Sequence, residues 1–206
     1  MMEIRNITIV GAGTMGHSLA QAFAQEGYNV WLTDIREEVL VRAKKMIASN
    51  LQTMVETGAL DSSRQASVLH RIQMTTKIED AGKHADFVIE AISEDEAAKK
   101  ELFHTLDTIC PRGAILASNT SYLDIFKFIE TTRSDKVLIT HWFAPPHIVP
   151  LVEIVRGPET SQETVDRVKT LLIDVGKTPL VISKFLPGFI ANRLQSALTQ
   201  EVLHLL

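Results

Sequence analysis

The chain has 206 residues, 45% of them hydrophobic, with 21 Lys and Arg against 25 Asp and Glu for a net charge of −4. That is enough apolar material for one well-filled core, and no basic run marks a nucleic-acid or membrane surface. The single cysteine, Cys110, excludes an intrachain disulfide, no apolar stretch approaches the roughly 20 residues of a membrane helix, and the opening M-M-E-I-R-N-I-T-I-V carries no signal region, so a cytoplasmic location is expected.

In chain order, strand-like and helix-like segments alternate, which predicts an α/β chain with a doubly wound, mostly parallel sheet. Residues 4–10 form a β-branched strand, residues 15–26 a helix stopped by Gly27, and residues 29–33 a second strand. A long helix is expected over 37–57, closed by Gly58, and Asp61 reads as the N-cap of a short helix reaching His70. Residues 87–90 and 114–118 are short apolar strands with a charged helix between them. Residues 137–142 and 151–155 are two more, divided by the Pro145-Pro146 corner. Residues 161–175 show helical spacing, with Val165, Val168, Leu171, Leu172 and Val175 on one side. A last helix is placed from Pro187, since proline suits a first turn, to Leu206. Its Leu194, Leu198, Val202 and Leu205 fall near one face, and such a stripe needs a partner. Either the helix packs on this same domain, or it opens a second, helical one.

Gly11-Ala-Gly-Thr-Met-Gly16 lies between the first strand and the first helix. In such a loop Gly11 permits the tight turn, Gly13 lets backbone approach a pyrophosphate, and Gly16 lets helix and strand pack closely. Thr14 and Met15 complete the loop, where the helix N-terminus offers free N–H groups to phosphates. Asp34 follows 23 positions after Gly11, near the roughly 20-residue spacing of a ribose-binding acid. A carboxylate there accepts from the ribose hydroxyls and repels a 2′-phosphate, so NAD is favoured over NADP, with Arg36 as the counter-signal. The plainer reading is a tight turn plus a solvated Asp. The order of strand, loop, helix and acid favours the dinucleotide site, and hence a Rossmann-like domain.

Ligands of such sheets bind outside the carboxyl ends of the strands. Glu90, the run Ser118-Asn119-Thr120-Ser121 and His141 all stand at strand ends, and Glu153 lies 12 residues beyond His141 in the next apolar run. Each has a plainer reading as well: Asn119 or Ser121 as a helix cap, Glu90 as a solvated strand end, His141 as a satisfied core histidine.

Taken together, G-A-G-T-M-G, V-I-E-A-I-S-E-D, A-S-N-T-S, H-W-F-A-P-P…P-L-V-E-I-V and G-K-T-P-L-V-I-S-K-F-L-P-G-F-I-A-N-R resemble the 3-hydroxyacyl-CoA dehydrogenase family over nearly the whole chain. The resemblance implies NAD-dependent oxidation of L-3-hydroxyacyl-CoA to 3-oxoacyl-CoA. It makes His141 the general base, Glu153 its orienting acid, and Ser121 and Asn192 hydrogen-bonding partners of the substrate. Glu90 and Asn119 would line the nicotinamide, and no metal is needed, because the nicotinamide carries the hydride. It further implies an NAD-binding domain over 1–186, the first helix of a truncated substrate and dimerisation domain over 187–206, and a homodimer. The sequence departs from the family pattern at three places. Ala144 stands where Asn is usual, Asp95 where Asn is usual, which adds a charge near the cofactor, and Phe185 where an acid is usual. Two other readings stay open: a dehydrogenase of a small β-hydroxy acid of gulonate or carnitine type, favoured by Ala144 and P-P-H-I-V-P-L-V-E, and a non-catalytic NAD-binding module.

Overall fold

The computed structural model describes residues 4–206. Eight strands and seven α-helices follow one another as β1 (Asn6–Val10), α1 (Gly16–Gln25), β2 (Asn29–Thr33), α2 (Glu37–Glu56), α3 (Ser62–His70), β3 (Ile72–Thr75), α4 (Ile78–Gly82), β4 (Phe87–Glu90), α5 (Glu96–Ile109), β5 (Ile115–Ser118), β6 (Val137–Trp142), β7 (Leu151–Arg156), α6 (Gln162–Asp174), β8 (Thr178–Ile182) and α7 (Ala191–Leu205) among the described residues. They build one sheet in the order β3-β2-β1-β4-β5-β6-β7-β8. Every pairing is parallel except β6 with β7. The doubly wound, mostly parallel α/β expectation therefore holds.

The central strands β4, β5 and β6 are buried along their whole length, as expected for strands covered on both faces. Their alternate residues feed two cores. Phe87, Ile89, Leu138 and Trp142 join α1, α2 and α6 on one face. Val88, Leu116, Val137 and Ile139 join Phe103 and Leu106 of α5 on the other. The helix termini follow local chemistry: the side chains of Asp61, Asp95 and Ser161 each accept a backbone N–H of the first turn of α3, α5 and α6. Asp95 thus caps α5.

Three elements go beyond the sequence reading. β3 pairs with β2 from the sheet edge, and its residues are only half covered. β8 is the opposite edge and contains Pro179, which an edge strand tolerates because one side of its backbone needs no partner. Between them α4 is a single short turn. The last helix begins at Ala191, not at Pro187. Gly188 and Phe189 both have left-handed φ, at 74° and 49°, which a right-handed helix cannot contain. The backbone instead folds there to bury the Phe189 ring. α7 itself buries none of its residues, and Leu194, Leu198, Val202 and Leu205 are all exposed. It does not pack on this domain in the way the first of the two expectations required. No helix among the described residues is long and apolar enough to cross a membrane.

Candidate active site

The glycine loop joins the end of β1 to α1. Gly11 has a φ of 98° and donates its N–H to Thr33 at 2.8 Å, and a side chain there would meet the Ala91 carbonyl oxygen at 2.5 Å. A side chain at Gly16 would lie 1.7 Å from the Gly11 oxygen. Gly13 differs: a side chain there would touch nothing within 4 Å. The space over Gly13 is therefore open to a ligand, while the exposed Thr14 and half-buried Met15 lead into the N-terminus of α1. Asp34, at the end of β2, accepts the Ala12 N–H at 2.9 Å and the Arg36 N–H at 3.1 Å. Its carboxylate thus sits against the loop, and Arg36 is only a 4.0 Å neighbour. An open cradle of backbone N–H groups, a helix N-terminus and an acid beside it fit a dinucleotide with an unphosphorylated ribose.

His17, the second residue of α1, fixes this loop from within. Its Nδ1 lies 2.8 Å from the Gly13 carbonyl oxygen, and its Nε2 lies 3.2 Å from Ser18 Oγ. Ser18 Oγ lies in turn 3.2 Å from Nδ1 of His147, in the segment after β6. Lys177 donates to the carbonyls of Pro146 and Val149 at 2.7 and 3.2 Å and so holds the same segment. His147 has its pKa lowered by burial and by the neighbouring His17 and Lys177.

The antiparallel register of β6 and β7 sets His141 directly opposite Glu153. Nδ1 of His141 and Oε2 of Glu153 are 2.7 Å apart, and both residues are buried. Oε1 of Glu153 accepts the N–H groups of Ile190 and Ala191, each at 2.9 Å. Those two amides are unpaired donors at the start of α7, so the carboxylate serves as their acceptor. Burial alone would raise the Glu153 pKa, but the bonds from His141, Ala191 and Ile190 outweigh it and hold it below the ordinary value. The rings of Phe143 and Phe189 flank His141 at centroid distances of 4.6 and 5.2 Å. Phe185 packs edge-on to Phe189 at 5.8 Å, which accounts for an aromatic residue before the Pro-Gly-Phe turn.

The other strand-end residues meet on the same rim. Asn119 Oδ1 accepts the Trp142 N–H at 3.0 Å, so the turn after β5 is tied to β6 beside His141. The Ser121 N–H donates to Glu94 at 2.7 Å. Asn192 is half-buried in the first turn of α7, next to the amides that hold Glu153. Glu90 is fully buried beneath the rim, with its carboxylate taken up by the Ile92 N–H, Lys99 and Ser118 at 2.9, 2.5 and 2.5 Å. Burial raises its pKa, against the pull of Lys99.

Glu94, Lys99, His17 and His147 were not singled out from the sequence. One signal for Lys99 was there: with Phe103 and Leu106 it forms the inward-facing stripe of α5. A lysine on an inward stripe requires a buried counter-charge, and Glu90 and Glu94 provide it. No comparable pattern marks His147, whose contacts come from a residue 129 positions away.

Residues 6–185 match the family described as 3-hydroxyacyl-CoA dehydrogenase, NAD binding domain. The chain is 40% identical to a Bacillus subtilis protein named "Probable 3-hydroxybutyryl-CoA dehydrogenase", over 98% of this chain and 70% of that protein. It is 33% identical to the L-carnitine dehydrogenase of Streptomyces griseus, over 98% of this chain and 60% of that one. The crystal structure of (S)-3-hydroxybutyryl-CoA dehydrogenase from Ralstonia eutropha superposes with a TM-score of 0.91 at 36% identity, over 97% of this chain and 70% of that one. An open glycine cradle with its acid, in a sheet of this order, agrees with that match, so the cofactor is NAD and the chain belongs to the 3-hydroxyacyl-CoA dehydrogenase family, with its NAD-binding domain over residues 6–185.

Proposed function

We propose that the protein oxidises L-3-hydroxyacyl-CoA to 3-oxoacyl-CoA, with His141 as general base and Glu153 as its partner. The observation that carries this reading is the buried 2.7 Å contact between them. A carboxylate only accepts, so Nδ1 of His141 carries the hydrogen and Nε2 keeps a lone pair. That lone pair takes the proton of the 3-hydroxyl group. As the imidazole becomes cationic, the carboxylate opposite stabilises it, and the Ile190 and Ala191 N–H groups keep that carboxylate from turning away. Phe143 and Phe189 shield the imidazole from water. Ser121 and Asn192 hydrogen-bond the substrate's oxygen functions, Asn119 lines the nicotinamide side, and Asp34 accepts from the ribose. NAD, when bound, supplies the hydride acceptor.

Acetoacetyl-CoA reduction by NADH tests the reading in the reverse direction. His141→Ala lowers turnover by about 10²-fold or more, with NADH affinity nearly unchanged. A His141→Ala protein that turns over normally shows the histidine to be structural, whereas an unsubstituted protein that binds NADH but turns over none of the substrates is better described as a non-catalytic NAD-binding module. The identity to an L-carnitine dehydrogenase, together with the exposed Ala144 after His141-Trp142-Phe143, favours a second reading, a small β-hydroxy acid as substrate. Carnitine and gulonate oxidation assayed beside the CoA thioester decide between the two. Activity on the free acids alone assigns the second.

A further inference from the structure

β6 runs on past Trp142 into a segment, residues 143–150, that lies against two other parts of the fold. Lys177 donates to the Pro146 and Val149 carbonyls, and the Thr178 N–H donates to Pro150 at 2.8 Å, so one side is tied to the start of β8. The other side reaches α1, where His147 Nδ1 lies 3.2 Å from Ser18 Oγ. Ser18 Oγ lies 3.2 Å from His17 Nε2, and His17 Nδ1 lies 2.8 Å from the Gly13 carbonyl oxygen. His17 and Ser18 are 4% and 2% exposed. Three side chains thus lead without a break from the segment after β6 to the cofactor loop. What this path holds at its far end is a peptide plane. α1 has no capping side chain, and its own backbone bond to the Gly13 carbonyl, from the His17 N–H, is long at 3.3 Å. The imidazole supplies the shorter bond to the same oxygen. The Gly13–Thr14 peptide is trans, so its N–H points the opposite way from that carbonyl. Holding the oxygen down on α1 therefore turns the N–H of the exposed Thr14 outward, among the free donors that a phosphate takes up at a helix start.

We infer that His147 is a positioning residue of the dinucleotide site: through Ser18 and His17 it steadies the Gly13–Thr14 peptide, and it makes the cofactor loop and the segment after β6 one unit. A loop already set in its binding geometry loses less freedom when the dinucleotide arrives, and the difference appears as affinity. The link also runs backwards, because coupling between two places in a protein is reciprocal. A dinucleotide on the loop therefore steadies residues 143–150, where the Ile148 and Val149 N–H groups both donate to the Pro145 carbonyl, at 2.9 and 3.0 Å. His147 acts through the two residues of α1 and not by contact with the cofactor.

NADH titration and amide hydrogen exchange on the full chain test it, with His147→Ala, His147→Asn, His17→Asn and the double variant of His17→Asn with His147→Ala. Asn carries a donor where the Nδ1 of histidine stands. At position 147 it keeps the bond to Ser18, and at position 17 it keeps the bond to Gly13 but has no atom to meet Ser18. His147→Ala weakens NADH binding about 5-fold, the worth of one hydrogen bond, and His147→Asn stays within about twofold of the unsubstituted protein. His17→Asn also costs about 5-fold, and the double variant is no worse, because the path is already cut. NADH slows exchange at the Ile148 and Val149 amides at least about threefold in the unsubstituted protein and in His147→Asn, but not in His147→Ala or His17→Asn. His17→Asn lies in α1, outside the segment, so it reports on the path even if His147→Ala does not fold. Full NADH affinity in His147→Ala, Asn no better than Ala at position 147, losses that add in the double variant, or NADH protection of the segment that survives His17→Asn each overturn the inference.

Discussion

A methyl group added at Gly16 lies 1.7 Å from the Gly11 carbonyl oxygen, whereas one added at Gly13 meets no atom within 4 Å. The two substitutions therefore separate folding from binding within a single loop. Gly16→Ala forces backbone apart and lowers the melting temperature. Gly13→Ala leaves the melting temperature unchanged but places its methyl group where the pyrophosphate approaches, so NAD binding weakens about 10-fold or more. A Gly13→Ala protein that binds NAD normally removes the pyrophosphate from that space. Asp34 carries a second expectation. Its carboxylate favours NAD over NADP by at least about 10-fold, or about 1.4 kcal/mol, and Asp34→Ala narrows the gap. Titrations giving equal affinities for the two dinucleotides rule that role out. Both residues were legible in the sequence because the chemistry of the loop is local: a strand, a turn only glycine can make, a helix and an acid at a fixed spacing.

Elements were legible where one face alternates or repeats, and less so where position in the sheet overrides composition. β4, β5 and β6 announce themselves as apolar runs because both faces are covered. β3 and β8 lie at the two edges, the first half covered and the second largely exposed, and carry polar residues and a proline that sequence patterns count against strands. The start of α7 was misplaced for a different reason. Proline marks a first turn only if the following residues take right-handed angles, and Gly188 and Phe189 do not. The side-chain pairing of His141 with Glu153 follows from register, which a separation of 12 positions leaves unspecified. On α7, Leu194, Leu198 and Val202 recur every fourth residue and are all more than half exposed. Covering each one recovers about 1.5–3 kcal/mol, so the 206-residue chain is expected to self-associate through this helix. Sedimentation at about 100 μM detects it, and Leu198→Glu abolishes it. A clean monomer at that concentration refutes the contact.

At the scale of the whole molecule, the β5–β6 crossover is clamped to α5 by one buried guanidinium. Arg133 donates to Asp107 Oδ1 at 2.8 Å and to the carbonyls of Asp107, Cys110 and Pro111 at 2.7, 3.2 and 2.5 Å, which closes the C-terminal end of α5. Burial works to raise the Asp107 pKa, but bonds from Thr132, Thr131 and Arg133 hold it down, at about 2. A depressed carboxyl contributes stability above its unfolded value, and that contribution is lost as pH falls through the folded one. For Asp107 the loss runs from about pH 4 to about pH 2 and amounts to about 2 kcal/mol. Asp107→Asn flattens acid unfolding over that window, and an unchanged acid transition contradicts the assignment. Next to the clamp, burial pushes the Cys110 thiol up to about 11. The thiol is therefore unreactive in the folded protein, and its labelling by a thiol reagent follows the unfolding of this end of the molecule.

The links from His17 to Ser18 and from Ser18 to His147 carry a direction as well as a geometry. A carbonyl oxygen only accepts, so His17 donates to Gly13 from Nδ1 and, when neutral, has a bare Nε2. Ser18 then gives its hydrogen to His17, which leaves His147 to donate to Ser18 from its own Nδ1. His141 donates from Nδ1 as well, towards Glu153. All three imidazoles around the cofactor loop and the proposed base therefore share one tautomer, with hydrogen on Nδ1, and the orientation of one hydroxyl rotor links two of them. Nitrogen chemical shifts read this directly. In the neutral form of each ring, His17, His141 and His147 give a protonated Nδ1 and a bare Nε2, and Ser18→Ala releases His147 from that state while leaving His141 in it.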